Sequence, residues 1–424
     1  MIKATKEVTQ RNTMTETGYP HRFVNQYAKI PQQISARLDA ELPAEYGGVR
    51  HCLGLILTNL LGYGAVAYSR RGNFYTEHRT EHYTRANMLR AVDIAVGMGY
   101  AEDRRGFKSK GYSRGISSAL IPLERLRRDF RPLGKIDIDI TLLPLLIVDG
   151  RQVFSLGDIA SISTVSPILK PLPPTTYDAT YRLNREYFNR MRIGYDNLRL
   201  EEEYLGVVGL TRVFRGGGVG RWFQKGGLSY QGLSEEDRSK LLLNGEAVVE
   251  LDYPAMHPHI LYAWEGMQCP DDFYERIASE CGCSRFLAKS VTLAAINASS
   301  YANLSSAINL DRARETEANE GRETPKPIMY DELKKGGLRP RDITDAFAKA
   351  HPAIAKYLFS NSANRLMLAE SEIITSALLR LMELGIPALP VHDSVIAPLR
   401  HREAVRRVME DAYRQHTSFS IIVE

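Results

Sequence analysis

Val-Val-Glu-Leu-Asp-Tyr at 248–253 and Leu-Pro-Val-His-Asp-Ser-Val-Ile at 389–396 are two apolar runs, and each ends on or turns at one aspartate, Asp252 or Asp393. Short aliphatic runs of this kind read as strands. A carboxylate inside such a run is costly to bury without a partner. Laid side by side, the two strands would bring both carboxylates together. At about 4 Å and an effective dielectric near 20, like charges repel by roughly 4 kcal/mol. A divalent cation between them removes that cost. Magnesium held by carboxylates and substrate phosphates is the usual apparatus of in-line phosphoryl transfer. Either aspartate alone also fits a turn residue or a helix N-cap. The pair gains weight from its surroundings.

A chain of 424 residues has room for two or three domains. Its 44% hydrophobic and 25% charged content is that of an ordinary globular protein and excludes a fibrous or disordered one. The longest apolar stretch, Leu53 to Leu61, is interrupted by Thr58 and Asn59, so no membrane span is expected. The first residues lack the apolar core of a signal peptide, and a cytoplasmic location is expected. Cys281 and Cys283, with Cys269 nearby, match no zinc spacing, so the four cysteines read as free thiols. Net charge is a mild +5, but residues 104–135 hold ten Lys/Arg against Glu124 and Asp129. That block is either a solvated surface or a footprint for a polyanion.

Residues 1–45 are polar and read as an arm. Residues 48–62 read as a helix with Gly62 beyond its end. A second helix is expected over 84–98, capped by Thr84, with Met88, Leu89, Val92, Ala95 and Val96 on one face. Strand-like pieces Tyr100–Arg104 and Ser117–Leu123 flank a basic, glycine-rich tip containing Lys108 and Lys110. Helix, helix and basic hairpin over 46–135 resemble a winged helix-turn-helix, in which one helix enters the major groove and the wing touches phosphate. Arg85, Asn87 and Arg90 would then project from the second helix, with Arg104, Arg105, Lys108 and Lys110 on the wing. An ordinary α+β packing module stays open as an alternative. Residues 136–175, proline-rich from Pro167 to Pro174, read as a connector with strand fragments.

Residues 177–198 read as a basic, aromatic helix. In the glycine-rich stretch 210–227, Arg212, Arg215, Arg221 and Lys225 would approach phosphates closely, and Trp222 and Phe223 offer stacking surfaces. It is no P-loop, because no Gly-Lys-Ser/Thr closes it. Arg285 and Lys289 lie one helical turn apart within 271–300, where two cations could hold a triphosphate. A solvated basic face is the competing reading. A long helix over 363–384 carries the stripe Leu366, Met367, Ile373, Ile374, Ala377, Leu378 and Leu381.

In that order, the segments resemble the palm and fingers motifs of family A DNA polymerases and the related single-subunit RNA polymerases. Leu-Asp-Tyr-Pro-Ala-Met-His at 251–257 is similar to the first palm motif, Arg285–Lys289 to the Arg-x-x-x-Lys of the fingers helix, and Val391-His-Asp-Ser394 to the last palm motif. The resemblance covers about 176–424. It implies an α+β right-hand polymerase with an antiparallel palm sheet (206–264 and 360–424), helical fingers (265–359) and a reduced thumb (a helix within 176–205), behind the N-terminal winged helix. Compact size and the front-end module are similar to family A-like polymerases of bacterial mobile elements.

The resemblance also implies roles. Asp252 and Asp393, with the backbone carbonyl of Tyr253, would hold two magnesium ions, for which manganese could substitute. Arg285 and Lys289 would grip phosphates, with Lys289 as the acid for the leaving group. His257, Leu293 and Tyr253 would line the nucleotide site. Arg212, Arg215, Arg221 and His392 would contact nucleic acid. Expected partners are a primer–template, dNTPs or NTPs and a small accessory protein, with no membrane. Departures bear on sugar choice: His257 stands where family A DNA polymerases have a glutamate, Leu293 replaces an aromatic residue, Asn297 a tyrosine, and Ser394 follows Asp393 as in the RNA polymerases. His257 and His259 flank Pro258, and packing or nucleotide contact is preferred to metal ligation, because the aspartates already supply a hard-cation site. A primase or RNA polymerase, or a non-catalytic DNA-binding replication initiator, remain the alternatives.

Overall fold

The computed structural model describes residues 23–77, 80–106, 117–133, 136–137, 143–144, 146–148, 151–153, 179–187, 198–200, 203–205, 209–215, 218–225, 229–319 and 325–424. The architecture is mixed α+β with antiparallel sheets and two main hydrophobic cores, one over residues 24–136 and one over 183–423. No helix among the described residues is long and apolar enough to cross a membrane.

The N-terminal core is built from α1 (Gln32–Glu41), α2 (Gly47–Tyr63), β1 (Val66–Tyr68), α3 (Gly72–Glu77), α4 (Arg85–Gly97), β2 (Ala101–Arg104), β3 (Ser118–Pro122) and α5 (Glu124–Asp129). The strands form one antiparallel sheet in the order β1-β3-β2. Three expectations are corrected here. Residues 23–45 are no loose arm: α1 buries Ile34 and Leu38, and ahead of it Val24 and Tyr27 are buried where Val24 N–H donates to Ala67 O of β1 at 2.9 Å. Gly62 lies inside α2, where a Cβ would meet Ile136, and the helix stops at Gly64, whose φ of 78° suits glycine. On α4 the buried face is Met88, Ala91, Val92 and Ala95, whereas Val96 is 40% exposed. Thr84 does cap α4, accepting from Asn87 N–H at 3.3 Å.

In the C-terminal core the six-stranded sheet runs β12-β13-β11-β10-β6-β7, formed by β6 (Leu198–Leu200), β7 (Glu203–Tyr204), β10 (Leu241–Leu243), β11 (Glu246–Asp252), β12 (Leu389–Val391) and β13 (Ser394–Pro398). Leu198 and Leu200 alternate with Arg199 at a period of two, so the tail of the predicted 177–198 helix is a strand. Helix is described only over 179–187, and 188–197 lie outside the described residues. A second sheet, β5-β4-β8-β9, joins β8 (Gly209–Arg215) and β9 (Gly218–Lys225) to β4 (Leu146–Val148) and β5 (Arg151–Val153). The predicted connector therefore contributes two strands to the second unit, β4 running parallel to β8.

A helical layer follows β11: α6 (Glu235–Ser239) precedes the strand, then come α7 (Met256–Trp264), α8 (Phe273–Cys281), α9 (Arg285–Asn297), α10 (Tyr301–Asn319), α11 (Met329–Lys335), α12 (Pro340–Ala350), α13 (Ala363–Glu383) and, after β13, α14 (Arg402–Thr417). The buried face of α13 includes Leu366, Glu370, Ser371, Ile373, Ile374, Thr375, Ala377, Leu378, Leu381 and Met382, whereas Met367, expected on the stripe, is half-buried. One carboxylate sits among apolar residues on that stripe.

Candidate active site

Strand pairing brings the two aspartates together. β11 and β13 are antiparallel with Asp252 opposite Ser394, Leu251 opposite Val395 and Glu250 opposite Ile396. β12 and β13 form a hairpin with Val391 opposite Ser394, so His392 and Asp393 are its tip. Directly opposed residues lie about 5 Å apart and the next residue along about 4 Å further. Asp393 is therefore a neighbour of Asp252 at one end of the sheet.

Two left-handed residues shape this end: His392 has φ 57° and Ala255, between β11 and α7, has φ 49°. For a residue with a Cβ that conformation costs about 1–2 kcal/mol. The surroundings enforce it. Pro390 O accepts from Tyr230 Oη–H at 2.9 Å and from Gln231 Nε2–H at 2.8 Å, which clamps the hairpin. Ser394 Oγ lies 2.6 Å from Glu250 Oε1 and 2.9 Å from Val391 O, so its one hydrogen is shared between two acceptors. Glu250 is itself gripped by Arg238 from α6, at 2.7 and 3.0 Å. The Tyr253 ring is buried and its hydroxyl donates to Met409 O of α14 at 2.5 Å, leaving only the backbone of Tyr253 at the site. On the other side of Asp252, its N–H donates to Glu424 O at 2.9 Å and its O accepts from Glu424 N–H at 3.1 Å, so the last residues extend the sheet along the edge that β10 leaves open.

Electrostatics set the character of the pair. Burial, then the Asp393 charge, push the Asp252 carboxyl up to about 7; a Tyr253 N–H bond and the Lys289 charge work the other way. Solvent still reaches Asp252 from the open side. Burial, then the Glu370 charge, also raise the Asp393 carboxyl. Both groups thus resist ionising until a cation arrives. Hard oxygen donors with excess negative charge fit magnesium, which takes one or two carboxylates together with substrate phosphates. No set of three or more His, Cys, Asp or Glu gathers as metal ligands among the described residues.

The cations expected to grip phosphate divide into two groups. On α9, capped by Ser284, Lys289 is exposed and its charge is felt at Asp252. Arg285, one turn earlier, is also exposed; its Nε pairs with Glu275 of α8 at 2.5 Å, and its guanidinium lies 5.5 Å from the Tyr274 ring. Further along α9, Leu293 is half-buried, and Asn297 Oδ1 is buried with no hydrogen-bond partner.

The second group is different, and one expectation is overturned. Arg212 is 0% exposed. Its Nε donates to Gly220 O at 2.7 Å and its Nη2 to Glu372 at 2.7 Å and Ser371 at 2.9 Å, with Phe214 and Trp222 flanking the guanidinium. It ties β8 and β9 to α13 and cannot reach nucleic acid. Arg221 donates from Nε and Nη2 to the two oxygens of Glu370, each at 2.8 Å. His257 Nε2 lies 2.9 Å from the same carboxylate. Burial works to raise the Glu370 carboxyl, but hydrogen bonds from His257 and Arg221 outweigh it and hold it below the usual glutamate range. The backbone of Arg215 ends β8, and its side chain lies outside the described residues. His392 is exposed at the hairpin tip, whereas His259 is buried, with burial lowering its pKa to about 4.

On the N-terminal unit, Arg85 and Arg90 are exposed on α4: Arg85 Nε donates to Arg70 O at 2.8 Å, and Arg90 lies over the Tyr46 ring at 4.4 Å. Asn87 does not project; its amide donates back to His82 O at 2.9 Å. Arg104 and Arg105 are exposed but sit beside Glu102 and Asp103 at 2.9 and 3.8 Å. Arg125 and Arg128 pair with Asp129. Lys108 and Lys110, with the hairpin tip, lie outside the described residues. All four cysteines are free.

Glu370, Glu372, Glu250 and Arg238 escaped the sequence reading. For Glu370 a signal existed: it stands four residues after Leu366 on the core stripe of α13, where a charged side chain needs a partner. No family model matches this chain, and no curated protein matches it.

Proposed function

We propose that this protein is a template-dependent nucleotidyltransferase, a DNA-directed DNA polymerase that extends a primer 3′-hydroxyl. The observation that carries this reading is the meeting of Asp252 and Asp393 at one sheet end, where the charge of the exposed Lys289 is also felt. Bound magnesium would supply charge neutralisation for the triphosphate and acidify the primer hydroxyl. Asp252 and Asp393 would hold the ions, since burial and neighbouring negative charge oppose their ionising without a cation. Lys289, exposed beside them, would bind the triphosphate and donate a proton to the departing pyrophosphate. Arg285 would exchange Glu275 for phosphate oxygens.

The order α2, β1, α3, α4, β2, β3 with sheet order β1-β3-β2 supports a winged-helix reading of the N-terminal unit. Exposed Arg85 and Arg90 on α4 favour duplex DNA as its partner.

The test is primer extension with magnesium and each nucleotide set. Extension by wild type with dNTPs, lost in Asp252→Asn and Asp393→Asn while DNA binding is kept, is the expected result. Extension with NTPs alone, or without primer, would shift the reading to an RNA polymerase or primase. Intact replication function in both variants would make the protein a non-catalytic initiator.

A further inference from the structure

Glu250 stands two residues before Asp252 on β11, so both side chains leave the same face of the strand, opposite the buried Leu251. A carboxylate so near a candidate cation site would be free to serve as a third ligand, but it is already engaged. Arg238 of α6 donates from Nε and Nη2 to its two oxygens, at 2.7 and 3.0 Å, and Ser394 Oγ lies 2.6 Å from Oε1. Arg238 is anchored in turn by Nη1, which donates to Leu233 O at 2.9 Å. One chain of hydrogen bonds thus runs from Leu233 through Arg238, Glu250 and Ser394 to Val391 O, on the other side of the hairpin tip and 2.9 Å from Ser394 Oγ.

The tip needs such help. Two-residue hairpin loops favour Asn-Gly, Asp-Gly or a leading glycine, because they require a positive φ. Here the loop is His392-Asp393, and His392 carries a Cβ at φ 57°. Nothing in the loop's own residues selects this turn, so bonds from outside it must. Ser394 spans the tip to Val391, and through Glu250 it ties the hairpin of Asp393 to the strand of Asp252. Its contact with the carboxylate is the shorter and, being charge-assisted, the stronger of the two.

We propose that Glu250 is a positioning residue for the divalent cation: through Ser394 it holds Asp393 beside Asp252, while Arg238 keeps the Glu250 oxygens out of the coordination sphere. This rests on reading the aspartate pair as a metal site. Outer partners of metal ligands fix the orientation of those ligands. Magnesium tolerates little misplacement, since it demands near-ideal octahedral geometry.

The experiment uses the full chain without nucleotide or nucleic acid, so that cation binding is read apart from turnover. Mn²⁺ affinity is followed by the electron paramagnetic resonance of the free ion, and the binding lost in Asp252→Asn defines the site. Each variant is first shown to be folded by its urea transition. Ser394→Ala is expected to weaken the site about tenfold, as for a lost outer partner of a metal ligand. Two neutral pairs of similar volume then isolate the bond without leaving Arg238 unpaired. Arg238→Met with Glu250→Gln keeps an acceptor for Ser394 Oγ and should bind close to wild type. Arg238→Met with Glu250→Met removes the acceptor and should match the Ser394→Ala loss.

A purely structural Glu250 predicts equal Mn²⁺ affinity in the two neutral pairs, because both fill the same space with the same net charge. That equality, or wild-type affinity in Ser394→Ala, overturns the inference alone. A wild type that binds no more Mn²⁺ than Asp252→Asn overturns it together with the metal reading of the aspartate pair.

Discussion

The arginines of the β8–β9 hairpin and the cations of α9 carry the same chemistry in sequence and opposite fates in the fold. Arg212 and Arg221 are turned inward onto Glu372 and Glu370 of α13. Lys289 and Arg285 stay at the surface, one with its charge felt at Asp252 and the other held by an exposed glutamate. A cation is available to a substrate only where the protein has not already neutralised it. For the hairpin, the charges became internal ties; for α9, they stayed exposed.

The largest effect expected from this contrast lies at the site the α9 cations face. Asp252→Asn or Asp393→Asn should reduce primer extension by about 10³-fold or more, since several kcal/mol of charge stabilisation is lost; single-turnover extension measures it. Next, Arg212→Met should destabilise the fold by about 3 kcal/mol, because Glu372 loses its buried partner. Urea unfolding reads this, and the salt slope of DNA binding should not change, as Arg212 touches no phosphate. A changed slope would erase the distinction between the two groups. Lys289→Ala should lower kcat by about 100-fold with little loss of stability, the reverse pattern.

A pH effect follows from Asp252. Its carboxyl is raised by burial and then by Asp393, from 3.8 to about 7. A raised acid binds its proton more tightly in the folded state, so metal-free stability should fall as pH rises through that window and level off above it. Asp252→Asn should show a smaller decline, with the remainder from Asp393, which burial and the Glu370 charge still raise, and should be the more heat-stable protein at pH 8 without metal. Magnesium should close the gap by stabilising only wild type. The smallest effect belongs to Glu275→Gln. Freeing Arg285 from an exposed pair should improve nucleotide KM by about twofold, since such pairs are weak.

Particular residues show where local reading succeeded. β11 and β13 were legible because their apolar runs leave few alternatives, and the helix over α13 because its stripe repeats at helical spacing. Thr84 announced the start of α4. The end of α2 was misjudged at Gly62, since a glycine required for close approach to Ile136 looks the same in sequence as one required for a stop. Strand fragments were expected within the 136–175 connector, but not their place in a sheet, because three residues of strand carry no pairing information until β8 lies alongside.

The chain alone settled which residues would sit in strands beside Asp252 and Asp393 and which helix would carry Arg285 and Lys289, because backbone preferences and apolar spacing act over a few neighbouring positions. Only the assembled fold decided that Asp252 would face Ser394, that Glu370 would collect both Arg221 and His257, and that Arg212 would vanish from the surface. Those outcomes depend on burial and on charges brought together across 100 positions or more, distances over which sequence spacing holds no information.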